Sequence, residues 1–305
     1  MSLRLYPHDL EAPQQVAILR RQAARAAELG YDGVMVSEHH ADFPGYLPNP
    51  VQLAGILLES MASGWVAPCP MLLPLKPHAL IVEDLAWLAA THPGRVGVGF
   101  AAGALPVDFE LAEVPFDDIV PRFKEALPRA VAALRGEAPE PLGRDRAVRR
   151  LTDEPIPVVV AAQSEAACRR AARLGCGVLY DSLQSPEVSA RLGAAHRAAG
   201  GVDGRVLIRR VWIGEPPTAE MAAQMAHYRS YANDAAIRNW SDDSLVWGDT
   251  PVAAADALLR VLADSDCDTV NVRIHVKGLS PGRVDEQLER HGDGFIQRLQ
   301  DRLSP

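Results

Sequence analysis

The sequence predicts an α/β protein built as a single (β/α)8 barrel of the TIM type with loop insertions. Three observations predict it. Short apolar runs alternate with helical patterns along all 305 residues. The runs are nearly continuous in Val, Ile and Leu, as parallel strands buried on both faces require. Eight strand–helix units occupy almost the whole chain as one domain, 1–305, and the excess over the ~250 residues of an average barrel falls into insertions.

Residues 2–6 read as the first strand. The helix over 14–29 follows from the spacing of Val16, Leu19, Ala23 and Ala27, with Gly30 as its C-cap. The apolar run 33–37 is the second strand, and the helix over 51–61 is opened by Asn49 and Pro50. The third pair is the strand 65–73 and the helix 79–90. The fourth is the strand 95–101 and, after a long loop, the helix 123–134. The second half continues with strands 156–161, 178–181, 206–213 and 269–275. Helices over 165–174, 187–199, 219–232, 252–263 and 284–303 separate and follow them. Residues 104–120, 137–155 and 235–250 are insertions where such loops are normally short.

Composition narrows the function. A formal net charge of -8 argues against nucleic acid or an anionic membrane as partner. The cysteines Cys69, Cys168, Cys176 and Cys267 form no CxxC pair, which fits reduced thiols in a cytoplasmic protein and no cysteine-based zinc site. The first residues contain no apolar signal region, and no stretch of 18 apolar residues exists, so neither export nor a membrane span is expected.

Barrel chemistry sits at the C-terminal ends of the strands. There the sequence places His8, the run Glu38-His39-His40, Gly103 to Asp108, Gln163-Ser164, Asp181 and His275. The first, second and eighth strands are neighbours in a closed barrel, so these histidines can converge. A metal site is disfavoured, because adjacent strand residues point to opposite faces and His39 and His40 cannot easily share one ion. For His8 and His40 a structural role, bonded to loop backbone, competes with a chemical one.

In the eighth strand Asn271, Arg273 and His275 share one face. A polar face inside a barrel implies a site or an internal network, and Arg273 paired with a buried carboxylate is the plain alternative. Ser164 reads either as the N-cap of the following helix or as a phosphate contact. The glycines at 97, 99 and 103 lack the dinucleotide spacing, which rules out a Rossmann reading. Cys69-Pro70 lies inside the third strand, where a bulge or a cis bond would make room for a planar ligand.

The segments GYDGVMVSEHH (30–40), LPNPVQLAG (47–55) and PMLLPLKPHALIVEDLAWL (70–88) resemble the bacterial luciferase-like flavin-dependent monooxygenases. PGRVGVGFAAGALPVDFE (93–110) and PVVVAAQSEAACRRAARLG (157–175) continue the likeness, as do GDTPVAAADALL (248–259) and GLSPGRVDEQLERHGDGFIQRL (278–299). The resemblance implies a barrel, usually a homodimer, that receives reduced FMN from a separate NAD(P)H-dependent flavin reductase. It implies reaction with O2 through a C4a-peroxyflavin and transfer of one oxygen atom to a small organic substrate. His39 matches the family's catalytic histidine and His40 its neighbour. Cys69-Pro70 falls where the family often has a cis peptide beneath the flavin ring. Asp108 and Phe109 match acidic and aromatic positions near the flavin, and Gln163 and Ser164 match a Glu-Ser pair on its phosphate.

Two departures stand out. Ala102 occupies the position of the luciferases' phosphate-binding arginine, and Gln163 replaces the carboxylate of the pair. Phosphate binding then leans on Ser164, backbone N–H groups and an arginine from elsewhere, such as Arg209. Ala101 at the redox-tuning cysteine position argues against light emission. Hydride transfer with the deazaflavin coenzyme F420 on the same fold is the alternative activity. A non-catalytic flavin-binding protein and a metal-dependent barrel hydrolase complete the alternatives. Trp240 and Trp247 in the third insertion are candidate lid material. Arg209, Arg210 and Arg273 are the one charged strand-end group that could clamp a sulfonate.

Overall fold

The computed structural model describes residues 1–41, 43–202, 204–231, 237, 240 and 245–303. Every strand pair in it is parallel, as the apolar runs and intervening helices require. The strands are β1 (Ser2–Arg4), β2 (Gly33–Val36), β3 (Trp65–Pro68), β4 (Met71–Leu72) and β5 (Val98–Ala101). They continue with β6 (Val158–Ala161), β7 (Gly177–Tyr180), β8 (Arg205–Ile213), β9 (Leu245–Gly248) and β10 (Thr269–Arg273). Their order is β3-β2-β1-β10-β8-β7-β6-β5-β4, with β9 paired to β8 off this path.

The two ends of that order, β3 and β4, are consecutive pieces of one predicted strand. A single bridge between Val66 and Val96 ties β3 towards β5, so the sheet closes into the predicted barrel. The third strand is interrupted at Cys69-Pro70, a cis peptide, where proline has no N–H to give to the ladder. The fourth strand starts at Val98 rather than at residue 95, Val96 contributing only that bridge.

β9 is a strand that the sequence reading placed inside an insertion. The cause lies in β8, which spans nine residues. β10 pairs with it only as far as Arg210, and the remaining edge from Arg210 to Ile213 takes up Leu245 to Gly248. Of the same insertion, residues 235, 236, 238, 239 and 241–244 lie outside the described residues. The other two insertions hold α4 (Pro106–Leu111) and α6 (Arg146–Arg150), neither of them predicted.

The covering helices are α1 (Ala12–Leu29), α2 (Pro50–Leu58), α3 (His78–Thr91), α5 (Ile119–Ala133), α7 (Glu165–Arg173) and α8 (Pro186–Ala198). α9 (Thr218–Tyr231), α10 (Pro251–Asp264), α11 (Pro281–Arg290) and α12 (Ile296–Leu303) follow. Gly30 ends α1 in the left-handed region at φ 101°, as its position predicts. Asn49 accepts from the Gln52 N–H and starts α2. Side chains of Ser164, Ser185, Thr250 and Ser280 cap α7, α8, α10 and α11 in the same way. These helix starts follow strand ends, so a row of positive helix ends surrounds the mouth of the barrel. The helix predicted over 284–303 is broken at 291–295, where Asp293 and Gly294 leave helical geometry and Gly294 takes φ 107°.

The main apolar core lies between strands and helices, around residues such as Leu19, Leu57, Leu85, Phe100, Leu127 and Leu258. A smaller cluster of Met35, Ala67, Cys69, Leu179, Val206 and Ile208 fills the inside of the barrel. Among the described residues no helix is long and apolar enough to cross a membrane.

One buried pair fastens the last helices to the first. Tyr31 and His291 share a 2.6 Å hydrogen bond, and His291 is fully buried. Burial raises the Tyr31 hydroxyl well above its usual range, so it stays protonated and donates to Nδ1. Burial also pushes the His291 imidazole down to about 3. A depressed histidine stabilises the fold fully above its unfolded value near 6.5, and this contribution is lost as pH falls towards 3. Between pH 7.5 and 5, urea melts of His291→Phe are therefore expected to lose about 2 kcal/mol less than the wild type. Parallel losses in the two proteins would refute this role.

Candidate functional site

The three residues of the predicted catalytic group converge at the mouth. Asp108 stands in the first turn of α4 with no exposed surface. Its Oδ2 lies 2.8 Å from Nδ1 of His39, and its Oδ1 accepts from the backbone N–H of His40 at 2.8 Å. An ionised carboxylate can only accept, so His39 carries a proton on Nδ1 and presents Nε2 as the basic nitrogen. The His39 side chain keeps 19% of its surface exposed.

The position of Asp108 rests on the backbone of the preceding loop. Gly103 adopts φ 91°, and a Cβ there would lie 2.5 Å from the Phe109 ring. Phe109 is buried with Val114 and Ile119 and packs edge-on against Phe116, with Ala102 beside it. It thus anchors α4 through packing.

Glu38, which the sequence reading passed over as a site residue, locks the other side. Its Oε2 accepts from the Leu72 N–H at 2.7 Å, and its own N–H donates to the Pro70 carbonyl at 3.2 Å. Its Oε1 lies 3.3 Å from Nε2 of His40. That hydrogen bond raises the His40 imidazole above its ordinary value against the opposing effect of burial. His40 is therefore a tether between two carboxylates, while His39 faces the mouth. The available signal was the glutamate directly preceding the histidine pair.

Below the mouth, Arg4 braces the Cys69-Pro70 segment. Its guanidinium donates to the Cys69 carbonyl at 2.9 Å, to Asn271 Oδ1 at 2.6 Å and to Ser37 Oγ. Cys69 is fully buried, and burial raises its thiol to about 11, which makes it an inert packing group. The neighbouring strand ends carry small side chains, Ala101, Ala102 and Gly103 at the end of β5 and Ala161 and Ala162 at the end of β6.

Gln163 and Ser164 are exposed at the start of α7, and Ser164 Oγ accepts from the Ala167 N–H at 3.3 Å. The N-cap reading of Ser164 is realised, while the N–H groups of Glu165 and Ala166 in the same first turn remain suited to an anion. Arg209 is not brought to them. Its guanidinium donates to the carbonyls of Ser182 and Gln184 at 2.9 and 2.6 Å, and it alternates with Leu207 and Val211 of the outer core. The expectation that Arg209 replaces the missing phosphate arginine is corrected accordingly, because strand parity turns it away from the barrel interior.

The histidines divide into two groups. His8 and His275 pack edge to face at 4.9 Å between ring centroids, and His8 Nδ1 lies 3.3 Å from the Leu279 carbonyl. Burial lowers both imidazoles, that of His275 well below its ordinary value with Arg273 adding to the effect. Tyr6 and Tyr46 lie between this pair and His39. Tyr46 packs on His39 at 4.4 Å and on Tyr6 at 5.4 Å, and Phe43 packs on His39 at 5.0 Å. Trp240 bridges to Gln184 and hydrogen-bonds Asp181, whereas Trp247 lies on β9 half exposed. Among the described residues no group of three or more His, Cys, Asp and Glu side chains could hold a metal.

Comparison with known proteins agrees with the fold. The chain is 35% identical over 106 residues to an uncharacterised protein of Mycobacterium tuberculosis, covering 33% of this chain and 37% of that protein. It is 27% identical over 175 residues to the F420-dependent glucose-6-phosphate dehydrogenase of Beutenbergia cavernae, covering 53% and 52% of the two chains. The matches thus span about a third to a half of these relatives' lengths. Among solved structures, a monooxygenase from Streptomyces bottropensis superposes with a TM-score of 0.78 at 20% identity, over 99% of both chains. The oxygenating constituent of 3,6-diketocamphane monooxygenase from Pseudomonas putida, solved with FMN, gives 0.76 at 15% identity over 98% of both chains. The profile of the luciferase-like monooxygenases matches residues 4–294, and the chain belongs to that family.

Proposed function

We propose that the protein is a flavin-dependent monooxygenase that takes reduced FMN from a separate NAD(P)H-dependent flavin reductase and oxygenates a small organic substrate with O2, acting as a homodimer. The His39–Asp108 pair carries the reading, because it sets an oriented proton donor and acceptor near a wall of small residues at the ends of β5 and β6. Cys69, Pro70, Ala101, Ala102, Ala161 and Ala162 would back the flavin ring. Gln163, Ser164 and the first N–H groups of α7 would hold its phosphate. Reduced FMN, when bound, supplies the electrons that activate oxygen.

The protein's own contribution is position, dryness and proton control. Asp108 fixes the tautomer and orientation of His39, so that Nε2 can take or return one proton. Phe43, Tyr46 and Tyr6 form an aromatic rim beside that nitrogen and limit access of water. The likeness to the F420-dependent dehydrogenase supports a second reading, hydride transfer with F420 on the same residues.

Anaerobic titration separates the two cofactors. Reduced FMN is expected to bind at least about tenfold more tightly than reduced F420; the reverse order would turn the assignment to hydride transfer. With an identified substrate, His39→Ala and Asp108→Asn are each expected to lower turnover by about 10²-fold or more while flavin binding is kept. Full turnover in His39→Ala would remove this residue from the reaction. Gly103→Ala forces Phe109 and α4 to move, and is expected to cost about 1–3 kcal/mol of stability and to lower turnover in the same direction as Asp108→Asn. Unchanged stability and turnover would show that α4 is not held by this contact.

A further inference from the structure

The ladder sets Arg4 opposite Arg273 and Arg273 opposite Arg210, so three arginines stand at one level of the barrel. In parallel partners the side chains point to the same face, and Val206 and Ile208 mark that face of β8 as the interior. The three guanidinium groups are used differently. Arg4 is fully engaged with Cys69, Ser37 and Asn271. Arg273 donates Nε to the His275 carbonyl at 3.0 Å and lies 4.1 Å from the centre of the Tyr6 ring.

Arg210 is 1% exposed and makes a single hydrogen bond, from Nη2 to Gln224 Oε1 at 2.7 Å. Its Nε and Nη1 are buried without a partner. Among the described residues neither Arg210 nor Arg273 forms an ion pair with a carboxylate. Asp181, whose charge acts on Arg273 from the end of β7, accepts instead from the Leu183 N–H. Burial and the neighbouring Arg273 depress the Arg210 guanidinium to about 10. Two like charges side by side, one of them with unused donors, are costly in a low-dielectric interior.

The cost has a purpose if a ligand brings the acceptors. From His39 a continuous path runs through Tyr46 and Tyr6 to Arg273. The strand order sets β8 and β10 across the barrel from β4 and β5, whose ends carry the small-residue wall. The arginines therefore lie on the side of the mouth away from the flavin positions.

We propose that Arg210 and Arg273 form the substrate's anion site, and that the substrate is a small organic oxyanion, a carboxylate or sulfonate, whose charged end docks on the arginines and whose reacting end faces His39. This rests on the monooxygenase reading for the reaction, while the anion site itself can be measured without the cofactor.

The test is calorimetric titration of the protein with benzoate, benzenesulfonate and neutral benzamide in chloride-free buffer. One of the two anions is expected to bind one per chain, with benzamide at least about tenfold weaker. Arg210→Met and Arg273→Met are expected to weaken that anion about 10- to 100-fold, with Arg210→Lys between them and the wild type. Because it removes an unpaired buried charge, Arg210→Met is also expected to melt at a higher temperature than the wild type. No anion binding to the wild type would overturn the proposal. Equal anion affinity in Arg210→Met, or a lower melting temperature with unaltered anion affinity in Arg210→Lys, would do so as well. Loss of reduced-FMN binding in Arg210→Met with anion binding retained would overturn it by assigning the arginine to the cofactor. If reduced FMN fails to bind the wild type while benzoate binding still depends on Arg210, the monooxygenase reading falls and the anion site stands.

Discussion

Closing parallel strands into a barrel forces partners in register to share one interior level, and in this protein one such level carries Arg4, Arg273 and Arg210 side by side. Each of those charges is accommodated in a different way. Arg4 is satisfied by reaching under the Cys69-Pro70 segment, which couples the first strand to the third. Arg273 is satisfied by lying on the Tyr6 ring and by bonding the turn after its own strand. Only Arg210 keeps donors in reserve. The apolar residues below this level, Val206, Ile208 and Leu179 among them, are enough to close the barrel but contribute no acceptor to it.

Above that level, two buried carboxylates convert a flexible turn into a fixed one. Glu38 binds the backbone of Leu72, and Asp108 binds the backbone of His40, so the turn 38–40 is held from both flanks. This leaves the two histidines in different states. His40, tied to Glu38, favours the charged form, and that stabilising pairing is complete below pH 6.5 and fades as pH rises through its raised value. His39 is oriented by Asp108 with one ring nitrogen kept for the mouth. Two adjacent residues of one type thus acquire separate duties from the acceptors around them.

Much of this was legible in the residues. The alternation of apolar runs and helical spacing gave the barrel, and Gly30, Asn49 and Ser164 marked helix ends that the structure confirms. Strand-end placement pointed to His8, the histidine pair and His275, while Asp108 joined the group only through the family resemblance. What escaped depends on partners far away in the chain. Arg209 and Arg210 are adjacent in a nearly continuous apolar run, so periodicity within that run does not tell inside from outside. The phase had to come from β10, where Asn271 and Arg273 alternate with valines and stand opposite Ile208 and Arg210. β9 was hidden for a related reason: four residues do not announce a strand unless the length of β8 beyond its neighbours is known. Glu38 was read only as a strand-end residue because the backbone N–H that its carboxylate binds lies on the interrupted third strand.

The bond between Arg4 and Asn271 spans 267 residues of sequence. A chain with so distant a closing contact carries a large entropic charge before that contact forms, and its folding is correspondingly slow. Until Asn271 has been synthesised and docked, Arg4 lacks one of the three partners that orient it. The arginine level is therefore complete only when barrel closure brings β10 beside β1. During synthesis the growing chain holds the residues of the candidate site in sequence before it can hold them in place.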